Sequence, residues 1–185
     1  GAWMFVFESR KRALARGGNI LAEVRGYAST CDAYHRVAVK ADGVEPARAM
    51  SQALKAAGLS PADVQSVQAH GTATKMNDAT ETRAMKLVFG DQARHLSLTA
   101  LKSITGHPQG ASGASSLAAA LFSLEAQFVP PTANLENPDP DCDLDYTPCR
   151  GRAREIKNVL VNTIAFGSKN SSLVVSKASG PGATR

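Results

Sequence analysis

An α/β layered fold follows from three features of this 185-residue chain. Short apolar runs alternate with segments of helical periodicity through most of its length. One segment, residues 110–127, is apolar on nearly every face, so it is expected to be buried in the middle of the molecule. Near the end, the β-rich runs 159–166 and 171–176 flank Gly167-Ser168-Lys169-Asn170 and predict a hairpin, which makes the strand order mixed. With 43% hydrophobic residues, the chain can fill the core of one domain.

Taken in order, Ala2-Trp3-Met4-Phe5-Val6-Phe7 is a continuous apolar run with aromatic and β-branched members, predicting a strand buried on both faces. Residues 9–16 read as a short basic helix stopped by Gly17-Gly18, 20–30 as a strand, and 32–43 as a polar loop. An amphipathic helix is predicted over 45–57, where Met50, Ala53, Leu54 and Ala57 share a face and Gly58 ends it. Ser60-Pro61-Ala62-Asp63 has the hydroxyl, proline and acid of a helix start. Val67-Gln68-Ala69 reads as a strand end delivering His70, and Asn77 as the cap of a helix running to about Phe89. Residues 96–101 form the next strand, delivering Lys102 and the loop to His107. Within 110–127, Gly110, Gly113, Ala114 and Ala118 make a close-packing side. Pro130-Pro131 stops that helix, 137–140 is an irregular turn, and 143–146 predicts a short strand. The tail 178–185 is small and Gly/Pro-containing and is expected to be disordered.

Lys plus Arg number 21 against 16 Asp plus Glu, but the basic residues are scattered. That balance favours an acidic partner over nucleic acid. Cys31, Cys142 and Cys149 show no metal-ligand spacing, so no metal is expected, and an odd count without a signal peptide points to the cytoplasm. No apolar run is long enough for a membrane span. The chemistry concentrates in His70-Gly71-Thr72-Ala73-Thr74 and Lys102-Ser103-Ile104-Thr105-Gly106-His107. Two imidazoles at strand ends, with a lysine beside one, can hold a developing negative charge. Either histidine alone would more simply be a hydrogen-bonded structural residue.

These two segments, with Pro130-Pro131-Thr132-Ala133-Asn134-Leu135-Glu136-Asn137-Pro138-Asp139 and Asn162-Thr163-Ile164-Ala165-Phe166-Gly167, occur in the order of the signature segments of beta-ketoacyl-[acyl carrier protein] synthases. From about the first residue to Lys177 the chain resembles the C-terminal half of such an enzyme, most nearly the bacterial condensing enzyme II, with polyketide ketosynthase domains as cousins. The resemblance implies a thiolase-like fold. Residues 1–8 would be the last strand of the N-terminal half, 9–177 the C-terminal half with a mixed five-stranded sheet, and 110–127 a helix of the central layer.

The implied reaction is a decarboxylative Claisen condensation of an acyl thioester with malonyl-acyl carrier protein. His70 and His107 would donate N–H groups to the enolate. Lys102 matches the family's lysine and Glu81 the acid that pairs with it, Asp78 being structural. Thr72 and Thr74, two apart on an extended chain, would face the phosphopantetheine arm together. Phe166 matches the gating phenylalanine and Gly167 the turn beside it, with the Phe166 backbone N–H in the acyl oxyanion hole. The substrate would ride on the carrier's phosphopantetheine, with no cofactor of the chain's own. Partners would be acyl carrier protein, malonyl and acyl thioesters, the N-terminal half bearing the cysteine nucleophile, and a second copy in a homodimer; no nucleic acid and no membrane are expected.

The chain departs from the pattern at Lys75, at Ala165 in place of a glycine, and at Ser168-Lys169 in place of Gly-Thr. Side chains at 165 and 168 restrict the backbone beside Phe166 and so bear on its gating motion. None of the three cysteines stands in an Ala-Cys-Ser turn, so the chain would carry only the decarboxylating half of the site. Competing readings are a non-catalytic chain-length-factor-like partner and a carrier-protein-binding module. The former has no need of His70, Lys102 and His107 together. A serine hydrolase is disfavoured because Gly110-Ala111-Ser112-Gly113-Ala114 lacks the spacing of a nucleophile elbow.

Overall fold

The computed structural model describes residues 1–178. Its centre is a five-stranded mixed sheet, in which β1 (Ala22–Cys31), β2 (Ser66–Gln68), β3 (Ser97–Thr99), β6 (Asn158–Ala165) and β7 (Lys169–Lys177) lie in the order β1-β7-β6-β2-β3. β1, β7 and β6 run antiparallel, whereas β6, β2 and β3 run parallel. The C-terminal ends of three neighbouring strands therefore share one edge of the sheet, where ligands of open α/β sheets gather.

Alternation along the strands sorts side chains to the two faces. Leu160 of β6, Val67 of β2 and Val174 of β7 join a core with α2 (Val44–Ala57) and α3 (Lys75–Phe89). Val159, Val161 and Val175 point the other way and pack on Leu117, Ala120 and Leu124 of α5 (Ser112–Ala126). The helix predicted over 45–57 forms because its small residues let it lie close to the sheet. A Cβ on Gly26 of β1 would stand 2.1 Å from the Ala53 carbonyl oxygen, so only glycine admits α2 at this distance.

Several expectations are corrected. Residues 1–9 carry no regular secondary structure, and no strand among the described residues pairs with the apolar run 2–7, which leaves Met4 and Val6 95% and 90% exposed. α1 (Arg10–Ala15) is capped by Ser9, as the basic stretch suggested. Ser60 starts only a single 3-10 turn, Pro61–Asp63, because Val64 already has extended φ and ψ and feeds β2. Thr74, not Asn77, is the N-cap position of α3; Asn77 is buried in the first turn and donates to Asp78. Residues 143–146 form no strand, although the Asp145 carbonyl accepts one bond from Leu98 N beside β3. A small ribbon of β4 (Phe128–Val129) and β5 (Arg152–Ala153) was not foreseen.

α5 buries most of its surface, but Phe122 is exposed, a Cβ on Gly113 would meet only Thr163 Oγ1 at an ordinary 3.8 Å, and one on Gly110 would meet nothing within 4 Å. Neither glycine therefore provides a close backbone approach within these residues. The expected tail, beyond Ala178 itself, lies outside the described residues.

Candidate active site

β2 ends at Gln68, and two residues later His70 turns inward at the shared edge, 6% exposed. Its backbone is fixed from below by Glu81 of α3. One carboxylate oxygen accepts from His70 N at 2.8 Å and from Asn162 Nδ2 at 2.7 Å, and the other accepts from Gly71 N at 2.9 Å. Asn162 is in turn oriented by Ser172, whose hydroxyl donates to Asn162 Oδ1 at 2.9 Å. Glu81 thus ties α3, the His70 loop and the central strand β6 together. Burial pushes its pKa up, against the pull of its three N–H donors. Gly71, at φ +44°, lets the His70 loop pass Ala100, whose Cβ would lie 2.5 Å from a side chain there.

This corrects the expected pairing of Lys102 with Glu81. Lys102 opens α4 (Lys102–Thr105), and its ammonium donates instead to the His70 carbonyl and lies 3.4 Å from His70 Nδ1. The carboxylates of Glu81 and Asp78 act on it through space, and they oppose the burial that lowers its pKa. Asp78 is held by Asn77 and by the backbone N–H groups of Ala73 and Thr72, with burial raising its pKa.

α4 ends at Gly106, and His107 follows in the loop before α5. The two imidazoles meet edge to face, with ring centroids 5.7 Å apart and planes at 82°. Their ring hydrogens can be placed by elimination. A cationic Lys102 can only donate to His70 Nδ1, and Gln109 N donates to His107 Nδ1 at 3.2 Å, so each ring keeps its hydrogen on Nε2. Burial, then the charge of Lys102 and the neighbouring His107, lowers the His70 pKa to about 3. Burial and Lys102 lower that of His107 as well. The result is a pair of neutral N–H donors beside a cation, an arrangement suited to an oxyanion.

Thr72 and Thr74 are together, but not as an extended chain would place them. Ala73 between them is left-handed at φ +57°, and their hydroxyls bond each other at 2.9 Å. Both line a cavity of about 440 Å³ shared with Lys75, Asp78, Lys102 and Tyr146, which neither imidazole reaches. Phe166 stands 73% exposed on the β6–β7 turn, at the C-terminal end of the strand beside β2. Gly167, at φ +82°, donates its N–H to the Arg36 carbonyl at 2.8 Å. Ala165 pairs within the ladder and has no need of glycine, whereas Ser168 is left-handed at φ +57° despite its side chain.

Residues that the sequence reading assigned no role complete the site. Asn162 and Ser172 position Glu81, Gln109 fixes the His107 ring, and Ser103 and Thr132 hold the Lys102 loop through Ala133 N and Ala100 N. The signal for Asn162 was a carboxamide in the middle of an apolar strand run, which needs a buried partner. Among the described residues no three His, Cys, Asp or Glu side chains are grouped to hold a metal, and no helix is long and apolar enough to cross a membrane.

Known proteins share this sequence and geometry. The chain is 45% identical over 177 residues to 3-oxoacyl-[acyl-carrier-protein] synthase 2 of a Synechocystis species, an alignment covering 96% of this chain and 42% of the relative. It is 42% identical to the Staphylococcus aureus protein of the same name, covering 96% and 43%. The chain thus spans about two fifths of the length of these relatives.

Among solved structures, a type II polyketide synthase acyl-carrier protein in complex with its ketosynthase bound to the hexaketide superposes with a TM-score of 0.90 at 42% identity, covering 92% of this chain and 42% of that one. The ishigamide ketosynthase/chain length factor superposes at 0.88 with 39% identity, covering 92% and 41%. The fold is therefore the thiolase-like fold of ketosynthases. The sequence model for the C-terminal domain of beta-ketoacyl synthase matches residues 21–136, and with that match the chain belongs to the beta-ketoacyl synthase family as its C-terminal domain.

Proposed function

We propose that this chain supplies the decarboxylating half of a condensing site. In the full protein it acts in fatty-acid or polyketide chain elongation, joining an acyl thioester to malonyl held on acyl carrier protein. The observation that carries the reading is the pair of imidazoles 5.7 Å apart, both neutral, with Nδ1 occupied and Nε2–H free to donate.

Loss of carbon dioxide from the malonyl thioester leaves two electrons on the α-carbon and thioester oxygen. The two N–H donors stabilise that oxygen without surrendering a proton. The α-carbon then attacks the acyl thioester on a cysteine of the N-terminal half; a carbon–carbon bond forms and the cysteine sulfur leaves as thiolate. Lys102 keeps His70 in its donor tautomer and biases the site toward anions. Thr72 and Thr74, on the cavity that reaches Lys102, offer hydroxyls to the amides of the phosphopantetheine arm. Phe166 and Gly167 face the acyl side.

In this reading residues 1–8 complete the sheet of the preceding half and 9–177 form the C-terminal half. The unpaired apolar run 2–7 supports that division. The assembled protein is a cytoplasmic homodimer that docks acyl carrier protein. The likeness to a ketosynthase/chain length factor structure raises a second reading, a non-catalytic partner subunit, and the intact His70–Lys102–His107 group speaks against it.

The test uses the full-length protein and measures malonyl decarboxylation separately from acyl loading of the cysteine. His70→Ala and His107→Ala should each lower decarboxylation by about 10²–10³, the usual loss for one oxyanion donor, while acyl loading persists. Undiminished decarboxylation in both variants would overturn the assignment.

A further inference from the structure

The three-residue turn between β6 and β7 is divided in its surroundings: Phe166 is exposed, while Ser168 is 1% exposed. Ser168 is left-handed at φ +57°, a conformation that residues with a Cβ hold only when neighbouring contacts enforce it. Those contacts come mainly from the loop that follows β1. The Ser168 hydroxyl donates toward the His35 carbonyl at 2.7 Å and the Ala38 carbonyl at 3.2 Å. Asp32 N donates to the Ser168 carbonyl at 2.9 Å, and Gly167 N to the Arg36 carbonyl at 2.8 Å. Cys31 Sγ reaches the Gly167 carbonyl at 3.4 Å, and Asn170 Nδ2 donates to Asp32 Oδ1 at 2.7 Å. The loop is shaped for this contact, because the His35 ring accepts from Val37 N and Ala38 N through Nδ1 and so brings two carbonyls to one side.

A glycine at 168 would take the same backbone conformation at no steric cost but would offer nothing to the His35 and Ala38 carbonyls. We infer that the Ser168 hydroxyl latches the Phe166 turn to the 32–40 loop, and that this latch limits how far the acyl side of the site opens. The second clause rests on the condensing reading above; the latch itself does not. Ser168 is in this sense a positioning residue acting through Phe166.

Hydrogen exchange read by mass spectrometry on the full-length protein tests it, in peptides spanning 28–40 and 164–172. Ser168→Ala removes the hydroxyl and keeps the strained backbone, and Ser168→Gly removes both. In each variant the Asp32 and Gly167 amides should exchange about three- to tenfold faster, the effect of losing one net hydrogen bond, while α5 exchanges as before. Cysteine loading from long acyl thioesters should rise relative to loading from short ones. Unchanged exchange in both variants overturns the latch. Faster exchange with an unchanged ratio of long to short loading overturns its control of access. A wild-type protein that loads acyl groups but never decarboxylates malonyl would instead sink the condensing reading, leaving the exchange result to stand.

Discussion

At His70, burial and the Lys102 charge act in the same direction, and the consequence is a definite pH dependence. The unfolded imidazole titrates near 6.5 and the folded one at about 3. Between these values the unfolded chain binds a proton that the folded chain refuses, so stability is fully present above pH 6.5 and falls as the pH drops toward 3. The loss from this residue should be about 1 kcal/mol over the first pH unit below 6.5. Urea unfolding of the full-length protein at a series of pH values, beside His70→Gln, checks it; equal pH slopes for the two proteins would remove the basis for a neutral His70.

Glu81 gives a second residue-scale expectation. Its oxygens accept three N–H donors and have no hydrogen to give. Glu81→Gln would turn an N–H group toward one of those donors and should cost about 2–3 kcal/mol by chemical denaturation, with Glu81→Ala costing more. A change under about 0.5 kcal/mol, the ordinary effect of a surface substitution, would contradict the bracket. Sequence reasoning located Glu81 but misjudged its partner. The expected ion pair with Lys102, 21 residues along the chain, came from the family resemblance, whereas the competing donors were backbone N–H groups that leave no trace in residue identity. His70 and Lys102 stood out because each follows a strand-like run, whereas His107, expected at a strand end, follows the short helix α4 and was marked out by the family resemblance. The left-handed Ala73 and Ser168 were not, since those side chains disfavour that backbone and only tertiary contacts enforce it.

Among the elements, periodicity located α2, α3, α5 and the closing hairpin to within a few residues, because each buries a stripe that repeats at its own period. It failed where lateral partners decide the outcome. The run 2–7 has every local feature of a strand but no neighbour to bond, and Ser60-Pro61 has every feature of a helix start but is drawn into β2 after one turn. The contact of α2 with β1 belongs to this scale as well. Gly26→Ala would drive a methyl group into the Ala53 carbonyl and against Ala57 N, both main-chain atoms that move only if the helix does. The expected cost is about 1–3 kcal/mol, seen as a lower melting temperature of the full-length protein. Gly58→Ala makes an instructive comparison: no atom lies within 4 Å of its would-be Cβ, so its penalty comes from φ +68° alone. If the two substitutions cost the same, close approach is not what the glycine at 26 provides.

Across the whole molecule, apolar surface is distributed unevenly. Trp3, Met4, Val6 and Phe7 are exposed in the N-terminal segment, and Leu21 and Phe122 are exposed as well. Between that segment and α5 runs a cavity of about 540 Å³ lined by Phe5, Leu21, Leu117, Leu121 and Val175. Scattered apolar residues are ordinary on a protein surface, but a contiguous group of large ones exceeds what a soluble monomer usually carries. The 185-residue chain, produced alone, should therefore bind its own copies or aggregate, and its melting temperature should rise with concentration wherever a defined assembly forms. Light scattering coupled to size exclusion would read the mass, and melts over a wide concentration range would read the linkage. A monomer of 19.4 kDa with a sharp melt independent of concentration would mean that this apolar surface is tolerated in water. In that case the division proposed at residue 8 would lose its physical support, because the run 2–7 would need no sheet to receive it. Substituting Val6→Lys and Phe122→Lys in the isolated chain sharpens the test, since charges at these two exposed apolar positions should raise the monomer fraction while leaving the β6–β7 and α2 cores untouched.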